Sequence, residues 1–344
     1  MIEAKTLINI AKKTGIHAER LERDYVMSLI LDALSRCDET KDDIVFKGGC
    51  CVHKCFTLFE KSDNPKALDP YFTKGRFSSD IDLTISKKLM STEALSHAFQ
   101  KVSEYLNKEH GLVLEQMDFP MHFNEKQSKT NSRSTLHYQG PLYLYGLEQK
   151  KKKALSKGKP MPYFAPPELK IDITADEKVV YEPTLKPIYH PYPGDEKKEK
   201  NLQTRCYTLQ GMFAEKIRSL FERCSPRDLY DLHILFNHPE IGKRKLEIGE
   251  AIIGKFRFKK IPLRIDEELL TKPQKAGEKP LKELCKEEWE HSLKQQIGEL
   301  GNFDDYWDKD KFPKILSFAK ECMDMALNAE RQQQVIATKQ QNVK

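Results

Sequence analysis

The sequence lacks the features that mark membrane and secreted proteins. It contains no apolar run of membrane-spanning length. Its first five residues, Met-Ile-Glu-Ala-Lys, lack the charged, apolar and small-residue blocks of a signal peptide. These absences predict a cytoplasmic protein with no membrane partner. With 344 residues, 39% of them hydrophobic, the chain is long enough for one large domain or two ordinary ones.

The charge balance lacks the strong excess of a dedicated nucleic-acid binder. Lysine and arginine number 58 against 52 acidic residues, which leaves a net charge of +6. Such a balance permits a polyanionic partner such as RNA without requiring one. The lysine run 150–153, in the stretch 149–162 with Gly158 and two prolines, is typical of a mobile, solvated loop. Contact with a nucleic-acid backbone is the alternative.

Cysteines are few for a disulfide framework. The eight cysteines are scattered through a chain too large to need such staples, so reduced thiols are expected. The segment Cys50-Cys51-Val52-His53-Lys54-Cys55 resembles half of a zinc site, but no second ligand pair with finger-like or ribbon-like spacing occurs elsewhere. The sequence therefore favours helix packing for these cysteines.

Hydrophobic periodicity divides the chain into a mixed N-terminal part and a helical C-terminal part. The first forty residues and residues 91–110 show helical spacing. Strands are predicted at 43–47, 80–85, 112–114, 135–138, 142–145 and 168–174. After the charged, proline-bearing stretch 183–200 the pattern is helical, including 204–223, and the last fifteen residues suggest a fraying helix or a disordered tail. We expect an α+β protein with domains 1–200 and 201–344.

Two aspartates on one predicted strand are the most informative feature. In Asp80-Ile81-Asp82-Leu83-Thr84-Ile85, alternation puts Asp80 and Asp82 on one face of the strand and the apolar residues on the other. Solvated edge residues would explain an isolated pair. Aspartate is depleted from strands, however, and a bound cation would offset the repulsion of two carboxylates. Mg²⁺ prefers carboxylate oxygens supplemented by substrate phosphates, so the pair predicts one half of a phosphoryl-transfer site.

Two further segments extend this hypothesis. The short strand 43–47 ends at Gly48-Gly49 before a predicted helix, an order that lets a phosphate approach backbone N–H groups. In the strand 168–174, Asp172 shares a face with Lys170 and is the candidate third carboxylate.

The C-terminal part contributes one lysine and two aspartates. Lys216 lies on a predicted amphipathic helix, and the next helix begins at Ser225 with Asp228 and Asp231 three residues apart, on one face. Asp228 also fits a capping box with Ser225, whereas Asp231 has no such local role. Either aspartate could orient Lys216 across the helix pair.

These motifs together resemble the AbiEii family of nucleotidyltransferase-like toxins. The resemblance extends from the stretch Glu22-Arg23-Asp24-Tyr25 to about Phe236. It rests on Lys47-Gly48-Gly49, Arg76-x-Ser78-x-Asp80-x-Asp82, Lys170-x-Asp172, Lys216 and Arg227-Asp228-x-Tyr230-Asp231.

The resemblance implies a polymerase β-like nucleotidyltransferase fold, with a mixed sheet flanked by helices and a helical C-terminal domain. It implies a bacterial toxin, usually encoded with an antitoxin, that transfers a nucleotide from an NTP to an acceptor such as tRNA. Mg²⁺ or Mn²⁺ would be the cofactor.

The resemblance also implies roles for individual residues. The turn Gly48-Gly49 and Ser78 would hold the triphosphate together with Lys47 and Arg76. Asp80 and Asp82 would hold the metal with Asp172 as the further ligand, while Lys216 and Asp228 or Asp231 would complete the catalytic set. The chain departs from the family at Cys50, where the turn more often continues with a hydroxyl residue. Ser78 could supply the missing hydroxyl.

Two other functions are compatible with the same residues. The fold could be retained as an NTP-, RNA- or partner-binding module with a vestigial site, an alternative that Cys50 favours. The site could also transfer a nucleotide or a phosphoryl group to protein.

Overall fold

The structure is a computed structural model. It describes residues 1–59, 69–115, 119–124, 129–175, 177–193, 199, 201–265, 279–294, 296–297, 300–307 and 311–341. The chain forms two compact units. The first contains Met1–Cys55, Phe59–Glu177 and Pro183–Cys206, and the second contains Phe56–Leu58, Lys178–Glu182 and Tyr207–Lys344. The main division thus follows Cys206, close to the expected boundary at 200/201.

The first unit is a mixed sheet with helices, as the sequence predicts. Its helices are α1 (Ala4–Thr14), α2 (Ala18–Arg36), α3 (Gly48–Cys51), α4 (Tyr71–Lys74), α5 (Thr92–His110) and α6 (Pro141–Ser156). Its strands are β1 (Ile44–Lys47), β2 (Asp80–Ile85), β3 (Val113–Glu115), β4 (Met121–Asn124), β5 (Lys129–Gln139), β6 (Glu168–Thr174), β7 (Thr184–Pro187) and β8 (Gln203–Cys206).

The strand order places the acidic strand β2 inside the sheet. The order is β3-β5-β6-β2-β1-β8-β7, and β4 pairs with β5 outside this path. β2 runs parallel to β6 and antiparallel to β1, and β1 runs parallel to β8. Because β2 has a partner on each side, its side chains are fixed in register with both neighbouring strands.

The apolar face of β2 lies in the core of this unit. Ile81 and Leu83 are fully buried, as are their register partners Ile171 and Ile173 on β6. Burial of these β-branched and leucine side chains stabilises the sheet by about 1.5–3 kcal/mol for each side chain. It also fixes which face carries Asp80 and Asp82, because a slip of one residue would reverse both faces.

The turn after β1 is anchored to α2 by buried polar contacts. Lys54 lies in a π-helical turn (Val52–Phe56) that follows α3, and its ammonium pairs with Asp24 of α2 at 2.9 Å. The hydroxyl groups of Tyr71 and Tyr192 donate to the same carboxylate at 2.8 and 2.9 Å. All four residues are buried. A buried charge is stable only when it is paired and hydrogen-bonded in this way.

The second unit is helical, as expected. It contains α7 (Leu209–Arg223), α8 (Pro226–Phe236), α9 (Lys245–Phe258), α10 (Leu281–Leu293), α11 (Phe303–Trp307) and α12 (Lys311–Gln341). α9 packs closely on α12 at Gly249, where a Cβ atom would lie less than 3.0 Å from the Cys322 carbonyl. No described helix combines the length and apolarity that crossing a membrane requires.

Three local predictions differ from the structure. Residues 142–145, predicted as a strand, begin α6, and the lysine run 150–153 lies on the same helix and not in a loop. Residues 204–206, predicted as helix, belong to β8. The tail is helical as far as Gln341, and residues 342–344 lie outside the described part of the chain.

Candidate active site

A row of four charged side chains crosses four neighbouring strands of the first unit. Asp82 of β2 is in register with Lys47 of β1 on one side and with Asp172 of β6 on the other. Asp172 is in turn opposite Arg133 of β5. Residues in register on adjacent strands share a face about 4.8 Å apart. The row therefore has a cation at each end and two adjacent carboxylates between them.

Asp80 lies two residues before Asp82 on the same face. Its register partner on β6 is Lys170. Two hydroxyl groups donate to its Oδ1 atom, that of Ser79 at 2.6 Å and that of Ser78 at 3.2 Å. Asp80 and Asp82 are both half-buried. The two aspartates therefore share one face of β2, as the alternation of the strand predicts.

Gly48 lets the Asp82 carboxylate lie directly on the turn. A Cβ atom on Gly48 would fall less than 3.0 Å from Asp82 Oδ2, a separation that real Cβ atoms do not show. Gly48 also has φ +78°, in the left-handed region where glycine is favoured. Both the backbone conformation and the space therefore require glycine at this position.

Gly49 likewise leaves space for a cationic side chain, the guanidinium of Arg76. A Cβ atom on Gly49 would fall less than 3.0 Å from Nη1 of Arg76. Arg76 is buried, and its backbone N–H donates to Nδ1 of His53 at 3.3 Å. Two successive glycines thus hold a carboxylate and a guanidinium against one turn of backbone.

Lys47 is held by a residue that the sequence analysis missed. Its ammonium forms an ion pair with Glu177, whose carboxylate also accepts a hydrogen bond from the Thr84 hydroxyl at 3.3 Å. Both Lys47 and Glu177 are largely buried, with side-chain exposures of 11% and 5%. Glu177 follows β6 by three residues and has no pattern of its own in the sequence.

Arg133 was also missed. Its Nε atom lies 3.3 Å from Asp172 Oδ1 in an exposed ion pair. The strand alternation of β5 could have indicated its face, but not its partner. This contact orients the Asp172 carboxylate.

The carboxylates of β2 and β6 form a donor set that suits a hard divalent cation. Asp80, Asp82 and Asp172 offer only oxygen atoms, which Mg²⁺ and Mn²⁺ prefer. The three carboxylates are not gathered into a closed cage: among the described residues, the group of three or more such ligand atoms within 4.8 Å of one another consists of cysteines. Mg²⁺ is normally held by one or two carboxylates together with waters and substrate phosphates, so an open set fits it.

Cys50 turns away from the glycine turn. It is buried, and its Sγ atom lies 3.0 Å from the sulfur of Met27 on α2. The side chain that follows Gly48-Gly49 is therefore a packing residue. Ser78, by contrast, contacts Asp80, so a hydroxyl group is present beside the carboxylate pair.

The remaining predicted residues form a separate cluster within the second unit. Lys216 of α7 pairs with Asp228 at 3.1 Å and with Asp231 at 2.7 Å, both on α8. Arg223 binds Asp228 through Nε and Nη2 at 2.7 and 2.8 Å. Lys216 and both aspartates are buried. The sequence left open which aspartate contacts Lys216, and in the structure both do so across the helix pair.

The capping alternative for Asp228 is wrong. Ser225 precedes α8, but its side chain makes no capping hydrogen bond. Burial alone would raise the pKa of the Asp228 carboxyl. The charges of Lys216 and Arg223 outweigh burial, so the pKa lies below its ordinary value and the group is ionised.

Comparison with known families agrees with this geometry. A family model described as the nucleotidyl transferase AbiEii toxin of a type IV toxin–antitoxin system matches residues 30–309. The match places the chain among the nucleotidyltransferase toxins. More particularly, the chain belongs to the AbiEii family.

Solved structures also match the chain, among them a toxin from Mycobacterium tuberculosis. The nucleotidyltransferase toxin MenT4 from Mycobacterium tuberculosis H37Rv is 16% identical, with a TM-score of 0.49. The alignment covers 91% of this chain and 89% of MenT4. No curated protein matches the sequence.

Proposed function

We propose that the protein is a metal-dependent enzyme that transfers a nucleotide from an NTP to an RNA acceptor, tRNA in particular. The observation that carries the proposal is the glycine turn. Gly48 and Gly49 hold the Asp82 carboxylate and the Arg76 guanidinium against the same stretch of backbone. A nucleoside triphosphate that binds together with a divalent metal ion needs these two groups. The carboxylate supplies oxygen ligands for the metal ion, and the planar guanidinium binds the phosphate oxygens.

The polar residues beside the turn would bind the triphosphate. Arg76 offers a guanidinium whose fork matches phosphate oxygens. Ser78 offers a hydroxyl group in place of the one that Cys50 lacks. The ammonium of Lys47, which is paired with Glu177, would contribute a further positive charge. Together with Gly48-Gly49, these are the nucleotide-binding residues of the proposal.

The carboxylates would hold the cation. Asp80 and Asp82 would be its ligands, and Asp172 could join them because its exposed pair with Arg133 contributes at most about 1 kcal/mol. When bound, Mg²⁺ or Mn²⁺ neutralises charge on the attacking oxygen and on the leaving pyrophosphate. Arg76 would add to this neutralisation at the phosphates.

Lys216, Asp228 and Asp231 are proposed members of the catalytic set because they match the lysine and aspartate motifs of the family. Their buried network fixes the Lys216 ammonium between two carboxylates. Fixed charges of this kind need no reorganisation during a reaction.

RNA is the proposed acceptor on grounds of charge. The net charge of +6 suits a polyanion, and three lysines in a row on α6, Lys151, Lys152 and Lys153, are exposed. An antitoxin is the proposed protein partner, because type IV toxins belong to toxin–antitoxin systems. We place both encounters in the cytoplasm.

Calorimetry with a non-hydrolysable NTP tests the nucleotide site. We expect binding that requires Mg²⁺ and is at least tenfold weaker in Asp82→Asn, which removes a charged ligand without changing the shape of the side chain. The control is Asp38→Asn, an exposed carboxylate paired only with Lys41 in the same unit. Unchanged affinity in Asp82→Asn would contradict the proposal. Binding that follows the proposal without any transfer of nucleotide would favour a vestigial binding module.

A further inference from the structure

Three cysteines from two distant segments meet in the first unit. Cys51 ends α3, Cys55 lies in the π-helical turn that follows it, and Cys206 ends β8. Their Sγ atoms all lie within 4.8 Å of one another. Cys55 and Cys206 are separated by 150 residues of chain, so the fold brings these thiols together.

Local geometry explains how each thiol reaches the cluster. Cys51 and Cys55 are four residues apart in a helical segment, a spacing that puts two side chains on the same face. β8 runs parallel to β1, and Cys206 is in register with Phe46, just before the glycine turn. The helical segment after that turn therefore packs over the end of β8. π-helical turns are rare and occur frequently at functional sites.

We propose that Cys51, Cys55 and Cys206 bind one zinc ion. Zn²⁺ binds thiolates at about 2.3 Å, which places the sulfurs of a tetrahedral or trigonal centre about 4 Å apart. The sulfurs of this cluster lie within 4.8 Å of one another, so small side-chain movements would bring them to that separation. Three deprotonated thiols and one Zn²⁺ carry a net charge of −1, and each thiol releases its proton to solvent on binding.

The donor set and its burial select a thiophilic ion. Soft thiolate ligands favour zinc or Cu(I) over Mg²⁺, Mn²⁺ or Ca²⁺, which take oxygen ligands. The site is thus chemically distinct from the carboxylate row on β2 and β6. Cys51 and Cys206 are fully buried, whereas Cys55 is partly exposed. Water can therefore complete the coordination from the side of Cys55.

Sequence spacing could not reveal this site. The segment 50–55 contains only half of a ligand set, and no second pair with zinc-finger or zinc-ribbon spacing follows. The third ligand is a single cysteine on β8, the strand that pairs with β1. Bound zinc would join β8 to the segment that follows Gly48-Gly49, and so would stabilise the first unit.

Cobalt titration tests the proposal directly. The full chain, purified under reducing conditions and stripped of metal, is titrated with Co²⁺ and then with Zn²⁺. We expect a thiolate-to-cobalt charge-transfer band that saturates at one equivalent, has the intensity of three thiolate bonds and is abolished by Zn²⁺. No such band, or saturation at another stoichiometry, overturns the proposal.

Single serine variants assign the ligands. Cys55→Ser, at the partly exposed position, and Cys206→Ser should each bind Zn²⁺ at least tenfold more weakly. Zn²⁺ should raise the unfolding temperature of the wild type and of the control below, but not of these two variants. The matched control is Cys50→Ser, whose thiol contacts Met27 outside the cluster. Equal loss of binding in the control overturns the assignment. If the variants fail to fold, the wild-type band intensity still decides between three thiolates and fewer.

Discussion

At Gly48 the absence of a side chain determines where a carboxylate can lie. Gly48→Ala would place a methyl group within 3.0 Å of Asp82 Oδ2. We expect the carboxylate to move and nucleotide transfer to fall at least 100-fold, because misplaced ligands lose transition-state stabilisation steeply. The measurement is the initial rate of transfer to RNA at saturating NTP.

Gly15→Ala is the matched control for backbone strain. Gly15 has φ +72°, close to the +78° of Gly48, but no atom lies within 4 Å of its Cβ position. Both variants should lose about 1–2 kcal/mol of stability from the left-handed conformation. Only Gly48→Ala should lose activity. Equal activities in the two variants would show that the position of Asp82 does not matter.

A variant of Lys216 can show whether this residue stabilises the fold or takes part in the reaction. Lys216→Met would leave Asp228 and Asp231 buried beside each other with one cation fewer. We expect the free energy of unfolding to fall by about 3–5 kcal/mol, the usual cost of breaking a buried ion pair. Urea denaturation measures this loss.

The control for Lys216 is an exposed lysine of the same unit. Lys245 pairs with Glu321 at 2.6 Å, and both side chains are at least one-third exposed. Lys245→Met should leave the free energy of unfolding nearly unchanged, because exposed ion pairs contribute little to stability. A stable Lys216→Met that has lost only activity would contradict the structural role and assign Lys216 to the reaction itself.

Several site residues were predictable from the sequence, for a physical reason. Asp80 and Asp82 break a β-branched run, and Gly48-Gly49 interrupts the change from strand to helix, so each leaves a local signal. Glu177 and Arg133 leave none, because their roles depend on strand pairing. Their partners, Lys47 and Asp172, lie on other strands. Register across a sheet cannot be obtained from one sequence without a structure.

At the scale of secondary structure, a buried glutamate joins α2 to α6. Glu22 Oε1 accepts the backbone N–H of Leu142 at the start of α6. Burial raises the pKa of the Glu22 carboxyl to about 7, although hydrogen bonds from the α6 backbone oppose the increase. The carboxyl group is therefore protonated over a range of pH in which an exposed glutamate is charged.

This pKa predicts that part of the stability is lost as pH rises. The native state binds the Glu22 proton more tightly than the unfolded chain, so the free energy of unfolding should fall between about pH 4.5 and pH 7. The loss should approach 3 kcal/mol, from about 1.4 kcal/mol per pKa unit. Glu22→Gln stays neutral and keeps the acceptor for Leu142. Urea denaturation from pH 4.5 to 8 should show the two proteins diverging as pH rises, and a constant difference would contradict the assignment.

The wrong prediction at α6 shows how the start of an element can override its pattern. Residues 142–145 alternate leucine and tyrosine as a strand would. Gly140-Pro141 precedes them, however, and proline at the first helical position favours helix initiation. The tyrosines are accommodated by packing, since Tyr143 stacks on Phe164 at 5.1 Å.

At the scale of the whole molecule, the two groups of predicted site residues lie in different compact units. The carboxylate row and the glycine turn belong to the first unit, whereas Lys216, Asp228 and Asp231 belong to the second. The change from mixed periodicity to helical periodicity predicted a division after residue 200. The division after Cys206 was less visible, because β8 is only four residues long and its pairing with β1 and β7 is distant in sequence.

The most direct test of the central claim follows the label from an NTP. The protein is incubated with total tRNA and Mg²⁺ and with each NTP in turn, labelled on either the α- or the γ-phosphate. Label from the α-phosphate of at least one NTP should appear on RNA, and no γ-label should. Asp82→Asn should abolish this transfer, whereas Asp38→Asn should not. Transfer of γ-label, labelling of protein alone, or transfer that persists in Asp82→Asn would contradict nucleotide transfer to RNA at this site.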